Sequence, residues 1–224
     1  MTTDADSGKK RVFIVDDHPL VREWLAALIN QQSDLMVCGE AGSASEGLHL
    51  ISAAKPHAAV VDISMEGGSG IELIKGIKAV CPEVVVTVLS VHDELIYGER
   101  ALRAGARGYT MKREATGNVL QAIRSVLKGE LYISEKIAVA LAKKYVEGKP
   151  PATVSPVEIL SDRELEVFEL LGRGWATRQI ANEMRISFRT VQAFCARIKE
   201  KLNLASATEL LQEAMRWHDS QQKG

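Results

Sequence analysis

Four small apolar residues, Ala58-Ala59-Val60-Val61, run into a single carboxylate, Asp62, and then into the glycine-rich stretch Gly67-Gly68-Ser69-Gly70. An uninterrupted apolar run of this length is the pattern of a strand buried on both faces, as a parallel sheet requires. Such a strand obliges the chain to supply crossover helices on both sides of the sheet. It also puts Asp62 at a strand's carboxyl end, where open α/β sheets bind ligands and carry out chemistry.

The flanking sequence meets that demand. Arg11 to Val15 reads as a first buried strand, and Pro19 opens a helix to Asn30 with Leu20, Val21, Trp24, Leu25 and Leu28 at helical spacing. Leu35 to Ala41 is a second strand, and Ser43 caps a helix to Ala54. The third strand spans His57 to Asp62, with a helix from Gly70 to Val80 behind it. Val84 to Ser90 is a fourth strand rich in β-branched residues, and the helix from His92 to Ala104 ends at Gly105, a natural C-cap. Arg107 to Met111 is the fifth strand, and Ala115 to Leu127 a helix that stops at Gly129. Five strands alternating with five helices predict a doubly wound parallel sheet of order 2-1-3-4-5.

A change of pattern marks the end of this unit. Glu135 to Val146 predicts a connector helix, and three of the chain's six prolines then fall between Pro150 and Pro156. Beyond that linker every signal is helical. Ser161 caps Asp162 to Leu171, Thr177 begins a helix to Met184, Ser187 caps Phe188 to Leu202, and Ser206 caps the last. The predicted organisation is a disordered tail over 1–10, an α/β domain over 11–128, a linker over 129–158, and a small all-α domain over 159–220.

Composition narrows the function classes. The three cysteines are widely spaced, odd in number and never paired as CxxC, which suits reduced thiols in the cytoplasm. The first ten residues lack the apolar core of a signal peptide, and no apolar run approaches membrane-spanning length. The expected setting is therefore cytoplasmic, without a membrane partner. The net charge of −1 conceals an asymmetry, with residues 147–171 at −4 and residues 172–202 at +5. A basic segment of that kind points to a polyanion partner.

The predicted sheet brings its chemistry to one edge. Asp16 and Asp17 follow strand one, Asp62 strand three, Ser90 strand four and Lys112 strand five. Three converging carboxylates repel one another unless a cation sits among them, and hard oxygen ligands with room for water suit Mg²⁺. Lys112 and the Ser90 hydroxyl suit a phosphoryl group carried on Asp62. The pocket is built for phosphoryl transfer onto a carboxylate.

Asp16-Asp17, Asp62, Ser90 and the run Gly108-Tyr109-Thr110-Met111-Lys112 resemble a response-regulator receiver domain over residues 11 to 128. The resemblance implies that Asp62 takes a phosphoryl group from a histidine kinase and slowly hydrolyses it, with no other enzymatic activity. It implies that Asp17 binds Mg²⁺ directly, Asp16 through water, and Ser64 through its carbonyl. Ser90 and Tyr109 would be a switch pair, and Ser64 and His92 would tune the lifetime of the phosphate. Glu66 stands where relatives carry proline, which predicts a more flexible, more acidic loop with altered metal affinity or slower phosphorylation.

Two short helices separated by Arg185-Ile186-Ser187 fit a helix-turn-helix, whose second helix enters the major groove. Along that helix Val191, Cys195, Ile198 and Leu202 form the core stripe. The opposite face carries Arg189, Gln192, Ala193 and Ala196, flanked by Arg197, while Arg178, Lys199 and Lys201 are placed for phosphates.

The run Leu160 to Phe168, with Gly174, Ile180-Ala181, Ser187, Thr190-Val191 and Lys201-Leu202, resembles the LuxR-type DNA-binding domain. Together the two matches resemble a NarL/FixJ-type two-component response regulator. That implies a homodimer on paired half-sites, with the unphosphorylated receiver restraining DNA binding. Gln192 and Phe194 stand where relatives carry lysine and histidine, which predicts an altered target sequence. The alternative is a phosphorylation-independent regulator whose receiver serves dimerisation or ligand binding. A phosphatase on a similar sheet would want an acid at position 64, where this chain has serine. A flavin site would repel its phosphate with Asp16-Asp17.

Overall fold

The computed structural model describes residues 8–65, 68–147 and 156–222. The loop residue Glu66, residues 1–7 of the expected N-terminal tail and residues 148–155 of the expected linker lie outside the described residues. The chain divides into two compact units, Met1–Gly148 and Lys149–Gly224.

In the first unit the strands are β1 (Lys10–Val15), β2 (Leu35–Ala41), β3 (Ala58–Val61), β4 (Ser64–Met65), β5 (Gly68–Ser69), β6 (Val85–Ser90) and β7 (Gly108–Met111). Five of them form a parallel sheet of order β2-β1-β3-β6-β7, the predicted 2-1-3-4-5 order counted within the sheet. Both faces of the central strands are shielded: Val12, Phe13, Ile14, Val15 and Ala58 to Val61 are all buried. That is why their sequence shows an apolar run rather than alternation.

Helices α1 (Pro19–Asn30) and α5 (Ala115–Leu127) cover one face, where Leu25, Ile29, Val119 and Ile123 pack on Val12, Ile14, Val60 and Leu89. Helices α2 (Ala44–Ala54), α3 (Gly70–Val80) and α4 (Glu94–Ala104) pack successively against one another. Helix α4 begins two residues later than the sequence predicts, because the Asp93 carboxylate caps it by accepting from Leu95 N at 2.8 Å. Its end at Gly105, with φ +115°, is as predicted. The two-residue strands β4 and β5 pair antiparallel as a small hairpin that the sequence reading did not foresee.

The segment after Gly129 belongs to this unit. Tyr132 bridges to Gly108 at the sheet edge, with Tyr109 N donating to Tyr132 O at 2.8 Å. Helix α6 (Glu135–Glu147), the expected connector, packs on α4, with Ile137 buried against Gly98 and Lys144 Nζ 3.0 Å from Glu99 Oε1.

The second unit holds α7 (Pro156–Ile159), α8 (Asp162–Gly172), α9 (Thr177–Glu183), α10 (Phe188–Lys201) and α11 (Ala207–Gln222). Ser161 and Glu164 form a full capping box at the start of α8. Leu165, Phe168, Ile180, Val191, Ile198, Leu210, Ala214 and Trp217 are its core, with the Phe168 and Trp217 rings 5.6 Å apart.

Candidate functional site

The parallel order delivers the predicted residues to one edge. Asp16 follows β1, Asp62 follows β3, Ser90 is the last residue of β6, and Lys112 opens the 3₁₀ turn after β7. Gly70 keeps this edge compact. Its N–H donates to Ile63 O at 2.7 Å, and a Cβ there would lie 1.9 Å from the Asp62 carbonyl oxygen. Only glycine fits so close to that backbone.

Lys112 Nζ sits 2.6 Å from Asp62 Oδ2 and 2.7 Å from Asp16 Oδ2. Asp62 Oδ1 is buried and has no hydrogen-bond partner. Burial pushes the Asp62 carboxyl up to about 7; the Lys112 charge opposes this, and Asp16 and Asp17 add to it. For Lys112 burial works the other way, but the charges of Asp62 and Asp16 outweigh it and hold its pKa above the ordinary lysine value.

One donor atom from each of Asp16, Asp17, His18 and Asp62 lies within 4.8 Å of the others. A compact acidic cluster with an orphaned, buried carboxylate oxygen fits a divalent cation. Two contributors escaped the sequence reading. His18 turns its ring onto the carboxylates, with Nδ1 3.1 Å from Asp16 Oδ1 and 2.7 Å from Asp17 Oδ1. Arg22 Nη1 donates to Asp16 O at 2.6 Å and so braces the loop from α1.

The expected switch residues meet at His92. Ser90, fully buried, accepts from His92 N at 3.2 Å, and the buried Tyr109 hydroxyl donates to His92 O at 3.0 Å. Burial raises the Tyr109 pKa above its ordinary value, so the phenol stays a donor. Ser64 Oγ lies 2.7 Å from His92 Nε2, and the His92 ring packs on Tyr97 with centroids 4.6 Å apart.

In the second unit, α9 and α10 form the expected hairpin of helices. The turn between them places Arg185 in the left-handed region at φ +51°, where Ile186 N reaches back to Ala181 O at 3.0 Å. Val191 and Ile198 are fully buried, with Cys195 and Leu202 half-buried beside them. Arg189, Gln192, Ala193, Ala196 and Arg197 are exposed along the opposite face, as is Arg178 on α9.

Ser187 Oγ accepts from Thr190 N at 3.0 Å and lies 2.7 Å from Thr190 Oγ1, so both residues anchor the start of α10. Arg178 lies over the Phe188 ring and Arg197 over Phe194, at 5.9 and 5.7 Å. Lys199 is half-buried. Lys201 is engaged within the domain, with Nζ 2.6 Å from Oε2 of the buried Glu164. Burial alone would raise the Glu164 carboxyl; Lys201 and Ser161 outweigh it and hold the carboxyl low.

Residues 12–124 match the response regulator receiver domain, and residues 158–214 match the luxR family of bacterial regulatory proteins. The chain belongs to the two-component response regulators that join a receiver to a LuxR-type DNA-binding domain, the NarL/FixJ family. Among relatives it is 34% identical over 210 residues to the oxygen regulatory protein NreC of Staphylococcus haemolyticus, spanning 92% of this chain and 97% of that one. A LuxR-family response regulator from Aurantimonas sp. SI85-9A1 is similar in structure at 31% identity and TM-score 0.57, over 62% of this chain and 99% of that chain. RcsB of Salmonella enterica serovar Typhimurium, solved on a promoter with the phosphomimetic BeF3−, is 26% identical at TM-score 0.56, over 91% of this chain and 97% of its own. No helix among the described residues is long and apolar enough to cross a membrane.

Proposed function

We propose that Asp62 is the phosphoryl acceptor of this response regulator and that its acyl phosphate switches dimerisation and sequence-specific DNA binding. The observation that carries this reading is the buried Asp62 carboxylate, with Oδ2 on Lys112 and Oδ1 without a partner. A carboxylate oxygen of Asp62 attacks the phosphorus of a phosphohistidine on a sensor kinase. The P–N bond breaks, and its electron pair leaves with the imidazole. Lys112 offsets the charge that gathers on the phosphoryl oxygens.

Asp16, Asp17, Asp62 and the Ser64 carbonyl would hold Mg²⁺, which screens carboxylates and phosphoryl group from one another. Ser90 then donates its hydroxyl to the phosphoryl group and gives up the His92 amide. Because Tyr109 is tied to the same His92 backbone, that loop and the ring move together. Ser64 and His92 stand beside the pocket and set how fast water removes the phosphate, the chain's only catalytic act. On the DNA side, Gln192, Arg189, Ala193, Ala196 and Arg197 read base edges, while Arg178 and Lys199 contact phosphates. The structure of RcsB bound to a promoter in the presence of a phosphomimetic is consistent with that coupling.

Incubation with Mg²⁺ and a small phosphodonor, followed by intact mass, tests the acceptor. The parent gains one phosphoryl group and Asp62→Asn gains none. An equal gain in both would place the acceptor elsewhere.

A further inference from the structure

His18 occupies the N-cap position of α1, with φ −91° and ψ 107°, yet its side chain makes no capping hydrogen bond. That position favours Ser, Thr, Asp or Asn because their oxygens accept from the first turn, and Pro19 at the next position already removes one unmet donor. The imidazole is turned instead onto the acidic cluster, with Nδ1 2.7 Å from Asp17 Oδ1 and 3.1 Å from Asp16 Oδ1. The His18 backbone fixes this arrangement, since its N–H donates to the same Asp16 Oδ1 at 2.9 Å.

The oxygens of the pocket are divided between two sides. Lys112 takes Oδ2 of both Asp16 and Asp62. This leaves Asp16 Oδ1 and Asp17 Oδ1 to the imidazole, and Asp62 Oδ1 buried with no partner. An unpartnered carboxylate oxygen on a residue that is 3% exposed is an independent sign that the cluster takes a ligand.

We infer that this cluster binds a divalent transition metal, such as Mn²⁺, Co²⁺ or Zn²⁺, with His18 Nδ1 as a nitrogen ligand beside the carboxylates. The inference rests on the reading of the cluster as the receiver's cation site, and adds a ligand and a class of metal to it. Imidazole discriminates between the two classes of ion. Mg²⁺ is hard, prefers oxygen and keeps its waters; Co²⁺ and Zn²⁺ accept imidazole readily, and Mn²⁺, though it favours oxygen, also takes an imidazole that is already in place. To ligate a metal, His18 would present the Nδ1 lone pair, with the ring hydrogen on Nε2. The His18 side chain is 47% exposed, so the other edge of the ring stays open to water. The pocket would therefore take Mg²⁺ through its carboxylates and the Ser64 carbonyl, and a transition metal with His18 added to that set.

Electron spin-echo spectroscopy of Mn²⁺ on the full-length protein tests this directly. The expected spectrum shows modulation from one directly bound imidazole ¹⁴N, which changes to the ¹⁵N pattern when only histidine is ¹⁵N-labelled. Titration of His18→Gln should show Co²⁺ and Zn²⁺ binding weakened about tenfold or more, with Mg²⁺ changed less than about twofold. Mn²⁺ bound without histidine nitrogen modulation would overturn the His18 ligand and leave the receiver's cation site standing. Failure of the parent to bind either Mn²⁺ or Mg²⁺ would overturn both. The labelling result is read on the unmodified chain, so a poorly folded variant cannot obscure it.

Discussion

The burial of Asp62 predicts an unusual dependence of stability on pH. Its carboxyl is ordinary in the unfolded chain, near 3.8, and is raised to about 7 in the fold, first by burial and then by Asp16 and Asp17. Between those values the native state holds one proton more than the unfolded state, so stability falls as pH rises. The slope is about 1.4 kcal/mol per pH unit over about three units, or about 4 kcal/mol in total. Asp62→Asn removes the ionisable group, while its side-chain oxygen can still accept from Lys112, which also keeps Asp16. In EDTA at pH 8 the receiver of Asp62→Asn should therefore be more stable than the parent by about 4 kcal/mol, and the gap should close towards pH 4. Hydrogen exchange of the β1 and β3 amides reads the opening of this unit apart from the helical one. An advantage that is small at pH 8, or the same at both pH values, would refute the claim that burial and the neighbouring carboxylates oppose ionisation of Asp62. Saturating Mg²⁺ should shrink the gap, because the bound cation relieves that opposition in the parent.

Four substitutions probe other parts of the molecule. Gly70→Ala places a methyl group against the Asp62 backbone and should destabilise the receiver by about 3 kcal/mol while sharply reducing phosphoryl uptake; unchanged exchange rates would show that the loop yields freely. Lys201→Ala leaves the buried Glu164 with only its Ser161 contacts and should lower the stability of the DNA-binding unit by about 1–2 kcal/mol at neutral pH. Because the pair holds the Glu164 carboxyl low, that loss should shrink as pH falls through the carboxylate range; α8 exchange that ignores pH would argue against it. Arg178→Ala should weaken binding to all duplexes and lower the salt slope by about one, whereas Gln192→Ala should cost about 1–3 kcal/mol at one base position; the reverse assignment would exchange their roles.

The sheet and its pocket were legible because they depend on order more than on detail. Apolar runs such as Ala58 to Val61 announce buried strands, and parallel order then carries Asp16, Asp62, Ser90 and Lys112 to one edge. The hydrogen bonds that cross between loops were not legible. Nothing in the local pattern says that His92 joins Ser64, Ser90 and Tyr109, since its partners lie two to 28 residues away. The local pattern does not set His18 apart, because the neighbouring Asp16-Asp17 pair accounts for the motif without it. Lys201 looked like a phosphate contact, yet its partner Glu164 lies 37 residues earlier and is buried beside it only once α8 and α10 pack. The stretch after Gly129 read as linker because a single bridge at Tyr132 carries no periodic signal.

If the state of Asp62 governs DNA binding, a phosphodonor changes affinity only where Asp62 is present. Duplexes selected from a random pool by the phosphorylated protein are titrated with parent and Asp62→Asn, each with and without a phosphodonor, and followed by fluorescence anisotropy. The donor should tighten binding of the parent, on paired half-sites and with dimer stoichiometry, and leave Asp62→Asn unchanged. Equal affinity for phosphorylated and unphosphorylated parent would contradict it and make this chain a phosphorylation-independent regulator.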